Sequence, residues 1–186
     1  MTAVLADRNV FDRPEQLHAV VVRDVDSGRV LLEMLASLAL LYRPQLLMVL
    51  YAGHGWPPAS GTPAMLHFRQ GPDVGAVRLA PLLRACRAQT TIVLLDCCHS
   101  TGIFCNIGFA GLVVVPVCGS NQTVTSGFTP RTFVPILQGC CAQHCVFNEC
   151  SDCKSFRASC ANGRVRVLAL VEHLRHHISV CVCVWG

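Results

Sequence analysis

The chain has 186 residues, of which 52% are hydrophobic and only 14% are charged, with a net charge of +4. This composition excludes an intrinsically disordered chain, and the small positive charge gives no reason to expect a nucleic-acid partner. No apolar run reaches the roughly 20 residues of a membrane-spanning helix, and the first residues lack the pattern of a signal peptide. We therefore expect a cytoplasmic protein with no membrane partner, built as one domain followed by a tail.

Helices and strands are predicted to alternate through residues 1–139, which we interpret as one domain. The predicted elements, in chain order, are short apolar stretches at Val4–Ala6 and Leu17–Val22, a helix over Ser27–Tyr42, a strand over Leu46–Tyr51, a loop over Gly55–Gly75, a helix over Val77–Ala88, strands over Thr90–Leu95 and Gly111–Val117, and a helix from Pro130 to Leu137. The strands are continuous apolar runs, which is typical of strands buried on both faces. The fold class predicted is α/β, a three-layer sandwich around a mostly parallel sheet.

Residues 140–186 form a cysteine-rich tail, since eight of the 13 cysteines lie there. Cys150 and Cys153 have the spacing of a zinc knuckle, and further cysteines and a histidine flank them. Two interpretations stay open for this tail, a zinc site and an extension without a function of its own.

Two short motifs follow predicted strands and carry the chemistry. The first reads Tyr-Ala-Gly-His-Gly over residues 51–55, and the second reads Asp-Cys-Cys-His-Ser over residues 96–100. Functional groups collect beyond the carboxyl ends of parallel strands, so we expect His54 to approach the cysteines of the second motif. A histidine beside a thiol favours the nucleophilic thiolate, and it can later protonate a leaving amine. Backbone N–H groups of Gly55 and Cys98 are candidate donors to the oxyanion, which predicts cysteine-dependent acyl transfer. Strand alternation alone does not choose between Cys97 and Cys98.

Both motifs resemble the histidine and cysteine motifs of the caspase superfamily, and the metacaspases and fungal caspase-like proteins in particular. The segments at 110–123 and 127–130 are also similar to this family, so the resemblance covers about residues 4–139. It implies a caspase-like fold in which His54 is the general acid/base and Cys98 is the nucleophile. It further implies that Asp96 forms an acidic S1 pocket selecting Arg or Lys, with Ala52 where the family often has a serine. Family members begin with a strand and a helix that precede the first residues of this chain, so we expect the first strand to be missing.

The resemblance thus implies a cysteine endopeptidase that acts on protein or peptide substrates, with Ca²⁺ as the cofactor that the family suggests. No carboxylate cluster supplies the roughly 6–8 oxygen ligands of a dedicated Ca²⁺ site. The alternative is a catalytically silent caspase-like module whose open sheet edge accepts a strand from a partner protein. Elsewhere in the domain, Cys105 and Cys118 are expected to be buried, unreactive thiols.

Overall fold

The structure, a computed structural model, describes residues 27–41, 43–57, 62–119, 123 and 172–173. All of them except Glu172 and His173 belong to one compact unit, Arg23–Ser126. Its elements are α1 (Gly28–Leu41), β1 (Leu46–Ala52), β2 (His54–Trp56), β3 (Met65–His67), α2 (Ala76–Ala85), β4 (Thr90–Asp96), a 3₁₀ turn (Ser100–Gly102) and β5 (Leu112–Pro116). The predicted elements at Val4–Ala6, Leu17–Val22 and Pro130–Leu137, the domain boundary at residue 139 and the whole cysteine-rich tail apart from residues 172–173 lie outside the described residues.

The main sheet has three parallel strands in the order β1-β4-β5. β1 and β4 are both seven residues long, and they pair in register from Leu46 with Thr90 to Ala52 with Asp96. The α/β class and the mostly parallel sheet are therefore confirmed for these residues. None of the helices within the described ranges is both long and apolar enough to cross a membrane.

The core lies between this sheet and the two helices, which pack against each other. Leu35 of α1 and Leu83 of α2 are buried in one cluster with Val93 and Leu95 of β4. Strand alternation turns Leu94 to the opposite face, where its side chain is only 1% exposed. Burial on both faces explains the continuous apolar run of β4, which the sequence predicted as a buried strand.

The prediction of a loop over Gly55–Gly75 is wrong at its start and in its middle, where residues 55–56 belong to β2 and residues 65–67 form β3. β2 and β3 form an antiparallel pair in which His54 faces His67 and Trp56 faces Met65. Each strand has only three residues, which is too short for alternation to stand out against the surrounding glycines and prolines. The pair is held by burial of Leu66, 1% exposed, whose backbone N–H and C=O exchange hydrogen bonds of 2.9 and 3.0 Å with Val74.

Candidate active site

The two motifs begin side by side at the carboxyl edge of the sheet. Ala52 and Asp96 are register partners at the ends of β1 and β4. The next amide, that of Gly53, donates to the carbonyl of Asp96 at 3.2 Å. The parallel sheet therefore brings the histidine and cysteine motifs together at their backbones, because two equally long strands end at the same level.

Gly55 continues this contact into the turn after β4. A Cβ built at Gly55 would lie 2.0 Å from the carbonyl oxygen of Cys98 and 3.4 Å from Sγ of Cys97. Real Cβ atoms essentially never approach a heavy atom closer than 3.0 Å. Only glycine fits at this position, so the backbone of β2 lies directly on the Cys97–Cys98 segment.

The two cysteines of the second motif differ in exposure. Cys97 is 0% exposed, and its burial, followed by the nearby Cys118, Cys98 and Asp96, raises the pKa of its thiol to about 12. Cys98 is half-buried. A buried, protonated thiol is a poor nucleophile, so the structure favours Cys98 where strand alternation left both open.

The turn after Cys98 is tight and is fastened to the end of β5. His99 has a positive φ of 57°, a left-handed conformation that is uncommon for a residue with a side chain. Ser100 Oγ donates to the carbonyl of Cys118 at 3.0 Å and accepts the Cys118 amide at 2.9 Å. The side chain of Thr101 also donates to that carbonyl, at 2.6 Å, and Cys118 Sγ donates to the carbonyl of Cys97 at 3.2 Å. These bonds fix the backbone that carries Cys98.

His54 begins the hairpin and is exposed. Its ring centroid lies 6.4 Å from that of His67, and the Trp56 ring lies 4.8 Å from His67. These three side chains therefore share one face of the hairpin, whereas the Cα of Gly55 meets Cys98 from the other face.

Tyr51 attaches the hairpin to the main sheet. Its hydroxyl lies 2.9 Å from the carbonyl oxygen of His54 and 2.8 Å from that of His67, and its one hydrogen serves both. Burial, with smaller contributions from Cys97 and Asp73, raises the pKa of Tyr51 above its usual value. The phenol is therefore uncharged at neutral pH and acts as a hydrogen-bond donor on both strands of the hairpin.

A further polar group stands beside His54 on the hairpin. Nδ1 of His67 lies 2.7 Å from Nε1 of Trp56 and 2.9 Å from Oδ1 of Asp73. The sequence contains no indication of a role for Trp56, His67 or Asp73, since all three fall within the predicted loop over Gly55–Gly75. In the structure residues 54–56 are exposed, half-buried and exposed in turn, but the sequence His-Gly-Trp has no apolar alternation that would have indicated a strand.

The predicted oxyanion donors can be placed in part. The backbone N–H and C=O of Leu66 both form hydrogen bonds with Val74. Leu66 and its register partner Gly55 are therefore a non-hydrogen-bonded pair, in which the backbone groups of each residue point away from the other strand. The Gly55 N–H is thus directed away from β3. This leaves it outside the hairpin ladder, as an oxyanion donor needs to be.

The two predicted substrate-binding residues lie at the same level of the sheet and differ in exposure. Ala52 is exposed and Asp96 is 6% exposed. A cationic side chain bound at Asp96 would therefore form a largely buried ion pair, in which the loss of hydration opposes the attraction.

The described residues also bear on the predicted metal site and on the two thiols that were expected to be buried. Within the described ranges, no group of three or more His, Cys, Asp or Glu side chains is arranged to hold a metal ion. The candidate zinc cysteines of the tail lie outside those ranges. Of the two thiols expected to be buried, Cys118 is, but the prediction for Cys105 is wrong because its side chain is exposed in the turns before β5.

Comparisons of the chain with protein-family models, with curated proteins and with solved structures find no match.

Proposed function

We propose that this chain carries a cysteine endopeptidase site of caspase and metacaspase type, with Cys98 as the nucleophile and His54 as the general acid/base. The main support is the pairing of β1 with β4, which ends both strands at one level and sets Gly55 on the carbonyl of Cys98. Under this proposal the α/β unit is a caspase-like three-layer sandwich, and the protein works in the cytoplasm, where its thiols stay reduced.

The proposed reaction follows from the chemistry of these groups. His54 takes the proton of Cys98, and the thiolate attacks the carbonyl carbon of the scissile peptide bond. The N–H groups of Gly55 and Cys98 stabilise the oxyanion that forms. His54 then protonates the departing amine, and water hydrolyses the thioester to release the second product.

Asp96 is the proposed source of specificity. A carboxylate at the base of a pocket prefers a cationic P1 side chain and disfavours an acidic one. Because Asp96 is only 6% exposed, it is expected to contribute to selectivity for Arg or Lys rather than to general affinity. Substrates with Asp at P1 are expected to be cleaved slowly or not at all.

The test is hydrolysis of fluorogenic peptides that differ only at P1. We expect turnover with Arg or Lys, none with Asp, and a loss of about 10³-fold or more in Cys98→Ala. Cys97→Ala is the matched control, one position away on a buried thiol, and it should keep activity wherever it folds. Turnover that survives in Cys98→Ala would show that another group is the nucleophile.

Two observations favour a second candidate function, a catalytically silent module that binds a partner. His54 lies on the hairpin face opposite the contact with Cys98, and no residue of β1 is fully buried although β1 pairs with β4. Within the described residues, β1 and β5 are the edges of the main sheet, and an edge strand can accept a strand from another chain.

The rate of iodoacetamide labelling separates the two candidates. A thiolate formed beside His54 predicts fast labelling of Cys98 at neutral pH, slowed by His54→Ala. Slow labelling of Cys98 that is insensitive to His54→Ala, together with no turnover of any P1 peptide, would favour the silent module.

A further inference from the structure

We propose that His67 is a positioning residue of the candidate site, which changes the partner of its Nδ1 atom from Trp56 to Asp73 when its ring takes up a second proton. The exchange of partners is independent of catalysis. Its effect on His54 rests on the proposed function.

Nδ1 of His67 lies near two groups that it cannot bond at the same time. Nδ1 of His67 is 2.7 Å from the indole Nε1 of Trp56 and 2.9 Å from Oδ1 of Asp73. An indole N–H can only donate a hydrogen bond, and an ionised carboxylate can only accept one. Nδ1 must therefore be bare to bond Trp56 and must carry a hydrogen to bond Asp73, so it satisfies one neighbour at a time.

Protonation fixes which neighbour is satisfied. A neutral imidazole has one bare nitrogen, and with the hydrogen on Nε2 it accepts the indole N–H at Nδ1. A doubly protonated ring has no bare nitrogen, so it cannot accept from Trp56 in any orientation. Its Nδ1–H then points at a carboxylate of opposite charge, and charge-assisted hydrogen bonds of this kind are about twice as strong as neutral ones.

Titratable groups from neighbouring segments lie close to His67. Among the described residues these are Asp73 of the following segment, whose Oδ1 lies 2.9 Å from Nδ1, and His54 on the paired strand, whose ring centroid lies 6.4 Å away. Tyr51 of β1 donates to the His67 carbonyl at 2.8 Å, and burial raises the pKa of this phenol, so it adds no charge. The side chains of His67 and Asp73 are 33% and 22% exposed, which leaves both within reach of solvent protons.

The exchange has two consequences at the site. It releases the indole of Trp56, which is already 49% exposed, on the same hairpin face as His54. It also places a positive charge beside His54, which disfavours the imidazolium that a Cys–His pair needs to hold its thiolate. At low pH, His67 therefore weakens the proposed nucleophile in addition to the ordinary loss of thiolate.

The test follows the indole N–H of Trp56 by nuclear magnetic resonance in the full chain. The chain has two tryptophans, so Trp185→Phe provides a background with a single indole signal. On lowering the pH from 8 to 5, where ordinary histidines titrate, we expect the indole signal to lose its hydrogen-bonded shift and to exchange faster with water. The change should share its midpoint with the ring signals of His67.

Three variants identify the groups responsible. His67→Gln keeps an acceptor for the indole but cannot titrate, so the pH-dependent shift should vanish. Asp73→Asn removes the carboxylate but leaves the His67 ring able to take up a proton, so a pH-dependent shift should persist. His54→Gln should retain the shift. An indole signal that is constant from pH 8 to 5, or that still shifts in His67→Gln, would overturn the proposal.

Peptide cleavage measured as a function of pH separates the proposed role of His67 from the proposed peptidase function. With an Arg-P1 peptide, His67→Gln should extend kcat/KM to lower pH relative to the unmodified chain. If no peptide is cleaved but the indole shift occurs and depends on His67, the partner exchange stands and the peptidase proposal fails. If peptides are cleaved but the indole does not respond, the peptidase proposal stands and the role of His67 fails.

Discussion

Replacement of Gly55 by alanine tests the contact between the two motifs most directly. The new Cβ would lie 2.0 Å from the carbonyl oxygen of Cys98, whereas real Cβ atoms essentially never come closer than 3.0 Å to a heavy atom. The backbones of β2 and of the turn after β4 must therefore separate by at least about 1 Å. Neither side can rotate away, because the clash is with a backbone atom rather than with the end of a flexible side chain.

The size of the effect follows from this displacement. Forcing an extra carbon into a packed contact costs about 1–3 kcal/mol of unfolding free energy. A displacement of about 1 Å between reacting groups costs on the order of 10²-fold in rate. We expect Gly55→Ala to lose stability in this range and, under the proposed function, to lose kcat/KM by about two orders of magnitude as well.

Gly108→Ala is the matched control, because a Cβ at Gly108 meets no atom within 4 Å. Both substitutions reduce the freedom of the unfolded chain alike, so the difference between them reports the clash in the folded state. Guanidinium unfolding followed by circular dichroism measures the stability of both variants. Equal midpoints for the two would show that β2 does not lie on Cys98, and the argument for a shared site would then fail.

Two further predictions concern the turn and the buried thiol. Ser100→Ala leaves the buried amide of Cys118 without its acceptor and should lower the free energy of unfolding in urea by about 1–3 kcal/mol. Ser37→Ala, on the exposed face of α1, is the control and should change it by less than about 0.5 kcal/mol. Equal losses in the two variants would refute a stabilising role for the Ser100–Cys118 hydrogen bond. Burial raises the pKa of Cys97 from 9.0 to about 12, so above pH 9 the unfolded chain ionises this thiol first, and the unfolding free energy falls with rising pH by about 1.4 kcal/mol per unit. In urea unfolding at pH 8, 9 and 10, the unfolding free energy should fall less steeply with pH in Cys97→Ala than in the unmodified chain. In Cys105→Ala, whose thiol is exposed, the fall should be unchanged. Equal slopes in all three proteins would contradict a buried, protonated Cys97.

The sequence predicted the elements whose signal is local and long. Thr90–Leu95 is dense in apolar and β-branched residues, and it forms β4 with one more residue, Asp96. The leucines of Ser27–Tyr42 predicted a helix, which runs from Gly28 to Leu41. Because parallel strands gather their carboxyl ends at one edge, the proximity of the two motifs could also be predicted before any coordinates.

The hairpin could not be predicted, because contacts distant in sequence create it. Val74 supplies the backbone hydrogen-bond partners of Leu66, and the Tyr51 hydroxyl donates to a carbonyl oxygen on each strand of the hairpin. Three-residue strands carry too little periodicity for such contacts to show in the sequence. The pairing of His67 with Asp73 depends on this hairpin, so it was missed for the same reason.

The difference in exposure between Cys97 and Cys98 could not be predicted from the sequence either. Both follow the last residue of β4, and alternation does not extend into a turn. Cys97 is 0% exposed and Cys98 is half-buried, and a Cβ built at Gly55 would lie 3.4 Å from Cys97 Sγ. Two adjacent, identical residues thus differ in exposure because of the three-dimensional fold around them.

The matched lengths of β1 and β4 limit how this chain can change. Deleting one residue inside either seven-residue strand would draw its motif back by about 3.3 Å and turn every following side chain to the opposite face. Insertions and deletions are therefore expected only outside these two strands. The spacing between the histidine and cysteine motifs is free to drift through the connecting segments, while the distance of each motif from the start of its own strand is not.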